Sequence, residues 1–323
     1  MRKRFILILI IFLLCFQIYT LNKYIIKIKG LGVKKIEKKD RYLCLLSKDN
    51  NLMVYDIINE YKKVFVYKGK YNTNFYILDD YIFLFDSYKH TEVFKISLDK
   101  NVEIVENHEL EYLVEKVYIK DKLYLFLTDG SYILMDKNLN TAIENPYSFS
   151  DFPLWREKFY ILDNSLYYIF KKNIYKFDKN RFVKKFSFNS NNYFFNNNYL
   201  LYLNKYGHFV LFDLSKKNII SEFMINKNYI YSDFIKIKNN KIYFVLEEKL
   251  LVYDFVKKII LNEKKYKSRI IDIINGEIFI SEKKYFKELE YDYLTNIFIL
   301  DNMKYFVIMR KGVLEDNYYL IAK

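Results

Sequence analysis

The feature that most constrains this chain is a short pattern that returns about every forty residues along most of its length. The pattern is an apolar run, a polar turn and a second apolar run, as in FYILDDYIFLF at 75–85 and IKIKNNKIYFVL at 235–246. Each copy is typical of a β-hairpin, with Asp or Asn beside the reversal because these residues tolerate strained backbone angles. The predicted turns lie near Asp40, Asp80, Asp121, Asp163, Asn197, Asn240 and Asn275.

A second landmark follows each hairpin after about fifteen residues: a strand that ends in an apolar residue and an Asp, as in LMVYD and LLVYD. These acids are Asp56, Asp136, Asp178, Asp213 and Asp254. In the second repeat Lys95 stands at the position of the acid, and Asp292 is a less regular match in the seventh repeat. We interpret the acids as turn caps that accept backbone N–H bonds. A fold residue is needed in every repeat, whereas a catalytic residue is needed once.

Each period holds three clear strands and a fainter fourth, such as KKVFVYKG at 62–69. Four short antiparallel strands in about forty residues is the size of one β-propeller blade. Runs such as LYLFL at 123–127 are apolar at successive positions, as expected of a sheet that packs on both faces. The sequence therefore predicts an all-β fold, with a β-propeller of seven four-stranded blades over residues 22–323. The alternative is eight blades, if the last residues and an N-terminal strand at 23–30 assemble another.

Composition agrees with a packed β-protein and limits the partners. Hydrophobic residues make up 52% of the chain and aromatic residues 20%, which allows a large core. With only 7 Gly and 2 Pro, most turns must be made by Asn, Asp and Lys. The formal net charge of +14 permits contact with anionic envelope polymers or lipid headgroups. Because the lysines are spread along the chain, we expect no nucleic-acid partner.

The N-terminus has the order of a secretory signal. Arg2, Lys3 and Arg4 precede an apolar run at 5–16, and no small-residue cleavage site follows. Residues 1–21 are therefore predicted to be a signal peptide or an uncleaved membrane anchor, which places the body outside the cytoplasmic membrane. Cys15 is a candidate for lipidation, although Leu14 stands where bacterial lipoproteins carry Gly or Ala. The alternative is that Cys15 is simply part of the apolar run.

At its repeated landmarks the chain resembles the bacterial extracytoplasmic β-propellers of the WD40-like, YVTN-like and quinoprotein-like types, whose blades often carry an apolar-Tyr-Asp phrase. The resemblance covers nearly the whole chain after residue 22. The chain lacks the Gly-His and Trp-Asp pair of true WD40 blades, the Gly-Gly of kelch blades and the tryptophan-rich docking motifs of quinone enzymes. The resemblance therefore implies the fold and a location in the bacterial cell envelope, and it transfers no site residue.

Two local stretches, at 136–144 and 142–158, have features of binding sites. DKNLNTAIE begins like a calcium loop at Asp136, but Thr141 and Tyr147 stand where that loop needs Gly and Glu, so we expect a turn and no metal. The connection at 142–158 holds both prolines and the single Trp, and its aromatic residues form a candidate binding loop. The residues of this candidate loop are Tyr147, Phe152 and Trp155.

Motifs for catalysis are missing from the sequence. His90, His108 and His208 are scattered singles, Cys44 has no partner for a disulfide in the body, and no Gly-rich phosphate loop occurs. We therefore predict a non-catalytic, membrane-tethered or secreted monomer without a cofactor, which binds a protein or a cell-envelope polymer. One alternative is an extracytoplasmic hydrolase, lyase or oxidoreductase with its site at the mouth of a central channel. The other is a carbohydrate-binding module that uses exposed aromatic rings.

Overall fold

A computed structural model describes most of the chain: residues 25–28, 32–99, 101–111, 114–119, 122–127, 132–144, 158–162, 165–178, 181–196, 198–282, 285–286, 293–310 and 317–322. Over these residues the structure is all-β apart from turns and a short 3-10 helix at Lys227–Tyr231. The chain divides into two compact units, which we call the terminal unit (Met1–Glu111 with Phe279–Lys323) and the central unit (Tyr112–Ile278).

Two complete antiparallel sheets lie in the part of the terminal unit before residue 112. The strands there are β1 (Ile25–Ile28), β2 (Val33–Lys39), β3 (Tyr42–Ser47), β4 (Asn51–Asp56), β5 (Lys62–Lys68), β6 (Asn72–Leu78), β7 (Tyr81–Ser87), β8 (Thr91–Ser97) and β9 (Glu103–Leu110). The first blade is β2-β3-β4-β5 and the second is β6-β7-β8-β9. All six residues of β3 are buried, whereas most residues of the outer strand β5 are exposed. The successive apolar residues of the middle strands thus pack on both faces of the sheet, as the sequence indicated.

The central unit holds four complete blades of the same order. Its strands are β10 (Val114–Ile119), β11 (Leu123–Leu127), β12 (Tyr132–Met135), β13 (Thr141–Glu144), β14 (Lys158–Leu162), β15 (Ser165–Phe170), β16 (Asn173–Asp178), β17 (Arg181–Ser187), β18 (Tyr193–Asn196), β19 (Tyr199–Leu203), β20 (Phe209–Asp213), β21 (Asn218–Phe223), β22 (Phe234–Lys238), β23 (Lys241–Leu246), β24 (Lys249–Asp254), β25 (Ile259–Lys265) and β26 (Ile270–Ile274). The third to sixth blades are β10–β13, β14–β17, β18–β21 and β22–β25. The fourth and fifth blades share a core in which Ile169, Ile174 and Leu200 are buried.

The two chain ends build one further four-stranded sheet, the terminal blade. The remaining strands are β27 (Glu277–Ile280), β28 (Tyr293–Leu300), β29 (Met303–Arg310) and β30 (Asn317–Ala322). The terminal blade has the order β1-β30-β29-β28, and Ile26 of β1 lies opposite Leu320. Ile28 is buried in one core with Leu43 and Leu45 of the first blade. The predicted pairing of an N-terminal strand with the C-terminal strands is therefore confirmed.

Seven four-stranded antiparallel sheets are thus found among the described residues, and the prediction of a seven-bladed β-propeller fold is confirmed. The strands at the predicted Asn275 hairpin, β26 and β27, form a two-stranded sheet over the described residues. The seventh four-stranded blade is the terminal blade, which the two chain ends build. In the sequence analysis, these ends form a separate blade only in the eight-blade alternative. The predicted N-terminal segment at 1–21 lies outside the described residues.

Asp and Asn stand at the reversals, as the scarcity of Gly predicted. Asp40, Asn240 and Asn275 have positive φ angles of 49°, 62° and 52°, and Asp79 beside the predicted Asp80 has 52°. Such left-handed angles are tolerated best by Gly, Asn and Asp. The expected turn residues Asp121, Asp163 and Asn197 lie outside the described residues.

The second blade requires one correction. In the first blade Asp56 lies opposite Tyr42, and in the second blade the residue opposite the equivalent Tyr81 is Ser97, not Lys95. Strand β8 extends two residues beyond Lys95, and the Ser97 hydroxyl accepts the backbone N–H of Asp99 at 3.2 Å. A hydroxyl therefore occupies the position that a carboxylate fills in the other repeats, and Lys95 lies within the strand.

A β-bulge recurs in the outer strands and was not foreseen. Where the third strand of a blade pairs with the fourth, the register shifts by one residue in five blades. A bulge inserts one extra residue, increases the local twist and turns a side chain to a new direction. The extra residues are Val64, Val105, Lys185, Ile220 and Leu261.

Candidate functional site

A cavity of about 500 Å³ opens between the fourth and fifth blades of the central unit. We call it the lysine groove, because Lys176 and Lys185 of the fourth blade and Lys217 of the fifth line it together with the carboxylate of Asp178. Its volume is within the range of about 300–1,000 Å³ that is typical of ligand-binding clefts. The groove is also larger than the other cavity described below, of about 350 Å³.

Local backbone structure places these side chains. Lys176 and Asp178 are two residues apart on β16, so they lie on the same face of the sheet. Lys185 is the inserted residue of the bulge in β17. Lys217 has a positive φ of 55° in the turn between β20 and β21. Three separate features of the repeat thus bring three ammonium groups to one cavity.

The rest of the lining combines polar side chains, such as Ser165 and Asn198, with an apolar and aromatic part. Phe186 and Phe212 stack with ring centroids 3.9 Å apart and planes inclined by 21°. Phe212 is 4% exposed and Leu214 is 9% exposed, so both belong to the core between the two blades. The groove therefore has charged groups around a buried apolar floor.

The positive charge of the groove is not neutralised by its surroundings. Asp178 is the one carboxylate among the lining residues, against three lysines. Lys185 and Lys217 are exposed, and neither forms an ion pair or a side-chain hydrogen bond with another described residue. The Nζ atom of Lys176 lies 5.8 Å from the ring centroid of Tyr167, which is a weak cation–π contact. A cleft with excess positive charge attracts anionic ligands.

The groove lysines depart from the repeat. The residue two places before the strand-end acid is Val54, Leu211 or Val252 in other blades, and each is buried. In the fourth blade this residue is Lys176. The phrase IYKFD therefore breaks the apolar run that LMVYD and LLVYD keep, and this was the signal in the sequence that could have revealed the site.

Two comparisons with the other blades set Lys176 and Lys185 apart. Lys95 stands at the same place in the second blade, but it is 7% exposed and lies 3.5 Å from Glu106. The inserted bulge residue is aliphatic in the four other bulged blades and is Lys185 in the fourth, where the bulge lies two residues earlier along the third strand. A residue that serves the fold is expected in every repeat, so two lysines of the fourth blade that line one cavity indicate a local function.

The strand-end carboxylates of Asp213 and Asp254 accept hydrogen bonds from their own turns. Asp213 Oδ1 accepts the backbone N–H groups of Ser215 at 2.8 Å and Lys216 at 3.0 Å. Asp254 Oδ1 accepts those of Val256 at 3.1 Å and Lys257 at 2.9 Å. Burial acts to raise the pKa of Asp213, but the donated hydrogen bonds outweigh it, and the pKa lies below its ordinary value.

Asp56 has an additional cationic partner. The Arg41 guanidinium donates from Nε at 3.1 Å and also from Nη2, and the N–H of Ile58 donates at 3.2 Å and that of Asn59 at 3.3 Å. The hydrogen bond from Arg41 is the main reason why the pKa of Asp56 lies below its ordinary value. Asp136 accepts from Asn138 at 2.8 Å and from Asn140 at 3.0 Å.

The remaining candidates of the sequence analysis do not meet at the groove. Cys15 and the loop residues Tyr147, Phe152 and Trp155 lie outside the described residues. Cys44 is fully buried, and burial raises the pKa of its thiol. Within the described residues, no group of three His, Cys, Asp or Glu side chains is placed to hold a metal ion. None of the helical structure described is long and apolar enough to cross a membrane.

A second, smaller groove of about 350 Å³ lies in the terminal unit. Lys27, Lys63 and Lys68 line it, with Met53 and Tyr55 on its apolar side. Burial raises the pKa of Tyr55 to about 12. Both grooves therefore combine three lysines with apolar side chains. Only in the lysine groove does one of them, Lys176, stand where other blades carry a buried aliphatic residue.

No protein-family model matches the chain, and no curated protein matches it. Among solved structures, the computationally designed Ika8 protein is 11% identical with a TM-score of 0.54, over 91% of this chain and 98% of that one. BamB from Moraxella catarrhalis is 11% identical with a TM-score of 0.47, over 88% and 81%. The WD40 β-propeller domain of Doa1 is 11% identical with a TM-score of 0.46, over 91% and 95%. Identities this low concern the fold alone, and the resemblance to β-propellers is generic.

Proposed function

We propose that the chain is a non-catalytic β-propeller that binds a protein or a cell-envelope polymer outside the cytoplasmic membrane, as a monomer. The observation that carries the proposal is the lysine groove, in which Lys176, Lys185 and Lys217 surround an apolar floor. Ammonium groups beside an apolar surface hold and orient an anionic ligand. Among the described lining residues, neither Ser165 nor Ser215 is hydrogen-bonded to a groove lysine or to Asp178, so the geometry supports binding better than catalysis.

The exposed pair Tyr71 and Tyr88 does not favour the carbohydrate-binding alternative. It requires aromatic rings whose flat faces are open to solvent. Tyr71 and Tyr88 are 45% and 56% exposed, but their rings stack on one another with centroids 3.8 Å apart and planes inclined by 10°. Because each ring covers one face of the other, the pair offers less area to a sugar than two rings side by side.

The binding function is tested by capture of a partner with the full chain. The immobilised protein is incubated with detergent-solubilised envelope extract, beside the groove variant Lys176→Ala, Lys185→Ala, Lys217→Ala. The matched control replaces three exposed lysines elsewhere, Lys48, Lys137 and Lys257, by alanine. We expect one stoichiometric partner with the unmodified protein and the control, and its loss with the groove variant. Equal recovery with all three proteins, or no partner with any, would contradict the proposal.

The location is tested at the N-terminus. We propose that residues 1–21 export the chain or hold it at the membrane, with lipidation of Cys15 as one form of attachment. Mass analysis of the mature protein distinguishes an intact start at Met1, a start beyond residue 21 and a lipid on Cys15. Recovery of an intact, unlipidated chain from the soluble cytoplasmic fraction would contradict export.

A further inference from the structure

We infer that the lysine groove binds an acidic peptide segment of a partner protein in an extended conformation. Carboxylates of the peptide pair with Lys176, Lys185 and Lys217, and an apolar side chain of the peptide packs against Phe186 and Leu214. The inference rests on the proposed binding function and specifies the partner as a protein with an acidic, strand-like segment.

The kind of cation in the groove favours separate carboxylates. All three cationic lining residues are lysines. A lysine is a point charge on a flexible stem, whereas arginine offers a planar fork that suits bidentate recognition of a phosphate. Lys185 is carried by a strand of one blade and Lys217 by a turn of the next. Successive acidic side chains of a peptide can reach such separated charges one by one.

The floor of the groove favours a peptide over a sugar polymer. Sugars stack on the open flat face of an aromatic ring. Phe186 and Phe212 are stacked on each other at 3.9 Å, and Phe212 is buried. One face of Phe186 is therefore covered, which reduces the ring surface on which a sugar could stack. Leu214 and the half-buried Phe186 form an apolar surface against which an aliphatic or aromatic peptide side chain packs.

The edge of the fourth blade supplies the backbone partner. Strand β17 is the last strand of its sheet, so alternate N–H and C=O groups along one side have no partner within that sheet. Peptides commonly bind to such an edge as an additional strand. The bulge at Lys185 turns the inserted lysine toward the groove beside this edge. Main-chain pairing and charge pairing are thus available to the same segment.

Asp178 is the opposing charge in the groove. It lines the cavity two residues from Lys176, and its carboxylate repels an acidic ligand at close range. Its replacement by asparagine keeps the shape and removes the negative charge. A peptide held by carboxylates must therefore bind more tightly to the Asp178→Asn variant, whereas a cationic ligand must bind more weakly.

The test is fluorescence anisotropy with the full chain and a labelled probe, acetyl-(Glu-Val)4-amide. Loss of three exposed or partly exposed charge pairs is expected to weaken binding by about tenfold in the groove variant. The Lys48, Lys137, Lys257 control is expected to change affinity by less than about twofold, and Asp178→Asn to increase it by about twofold. N-methylation of alternate peptide amides leaves the charge unchanged and removes main-chain donors, so it is expected to weaken binding. Thermal unfolding of every variant verifies its fold.

Three results would overturn the inference. The first is equal affinity of the peptide for the groove variant and the control. The second is no effect of N-methylation, which would reduce the interaction to charge alone. The third is tighter, groove-dependent binding of an oligogalacturonate, which would identify an anionic polymer as the ligand. If envelope capture depends on the groove lysines while peptide binding does not, the proposed function stands and the peptide inference fails.

Discussion

Single carboxylates hold the turns that follow the third strand of several blades. Asp213 is 3% exposed and accepts hydrogen bonds from two consecutive backbone N–H groups, those of Ser215 and Lys216. Without the carboxylate these N–H groups lose their partner. The same contact pattern recurs at Asp254 with Val256 and Lys257. The acid thus acts on its own chain, within two or three residues.

The first prediction concerns this contact. Replacement Asp213→Ala is expected to lower the free energy of unfolding by about 1 to 2 kcal/mol, because a capping side chain is lost and two donors are left unpaired. Urea denaturation measures the change. The matched control is Asp99→Ala, at a position whose side chain is exposed, and it is expected to have little effect. Equal stability of the two variants would show that the carboxylate does not stabilise the turn.

The second prediction concerns pH. Because the pKa of Asp56 is lowered in the folded protein, mainly by the hydrogen bond from Arg41, the unfolded chain binds more protons in acid. The contribution of Asp56 is therefore fully present above the unfolded value of about 3.9 and is lost as the pH falls below it. The free energy of unfolding should fall less steeply below about pH 4 in Asp56→Asn than in the unmodified protein. Parallel pH profiles would contradict this account.

At the scale of strands, the two chain ends depend on each other. Strand β1 contributes Ile28, which is 1% exposed and packs in one core with Leu43 of the first blade. Its cross-strand neighbour is Tyr318 of β30. The terminal blade is therefore completed by four residues from the other end of the chain.

The third prediction tests this pairing. Replacement Ile28→Ala removes a fully buried aliphatic group and is expected to lower the free energy of unfolding by about 2 to 5 kcal/mol. Lys27→Ala is the control, because this neighbour in β1 is exposed. Denaturant titration of both proteins gives the comparison. A loss at Ile28 no larger than at Lys27 would mean that β1 does not hold the C-terminal strands.

The strands and turns were predictable because their signals are local. An apolar run that ends at Asp254, or a reversal at Asn240, needs only a few neighbouring residues to specify it. The bulge at Lys185 and the position of Ser97 were not predictable, because they depend on the register between two strands. The groove was missed for the same reason: Lys217 and Lys176 are brought together by packing of two blades, and only the break at Lys176 was visible in the sequence.

At the scale of the whole chain, lysine serves two purposes. Lys34 and Lys236 donate to backbone oxygens of a neighbouring strand in their own units, at Thr73 and Ile273, each at 2.9 Å. Such lysines stabilise the fold. They contribute to the net charge of +14 although they need no binding partner outside the chain. Lys185 and Lys217 have no such acceptor among the described residues. The departure of single residues from the repeat therefore indicates a binding site better than the number of lysines does.

The central claim is that Lys176 and Lys185 depart from the residues of the other blades because they bind a ligand in the lysine groove. In the variant Lys176→Val, Lys185→Val, the first change introduces the kind of residue that four other blades carry two places before the strand-end acid, and the second makes the inserted bulge residue aliphatic, as it is in four other blades. An aliphatic residue in place of the half-buried Lys176 gives up a site for core packing, and such substitutions commonly stabilise a protein. A ligand that binds the folded protein raises the unfolding temperature by an amount that grows with the logarithm of the ligand concentration divided by Kd. The decisive measurement is thermal unfolding of the full chain with and without acetyl-(Glu-Val)4-amide. We predict that the peptide raises the unfolding temperature of the unmodified protein, whereas the variant unfolds at the same or a higher temperature and does not respond to the peptide. A variant that is less stable than the unmodified protein, or that the peptide still stabilises equally, would contradict the account.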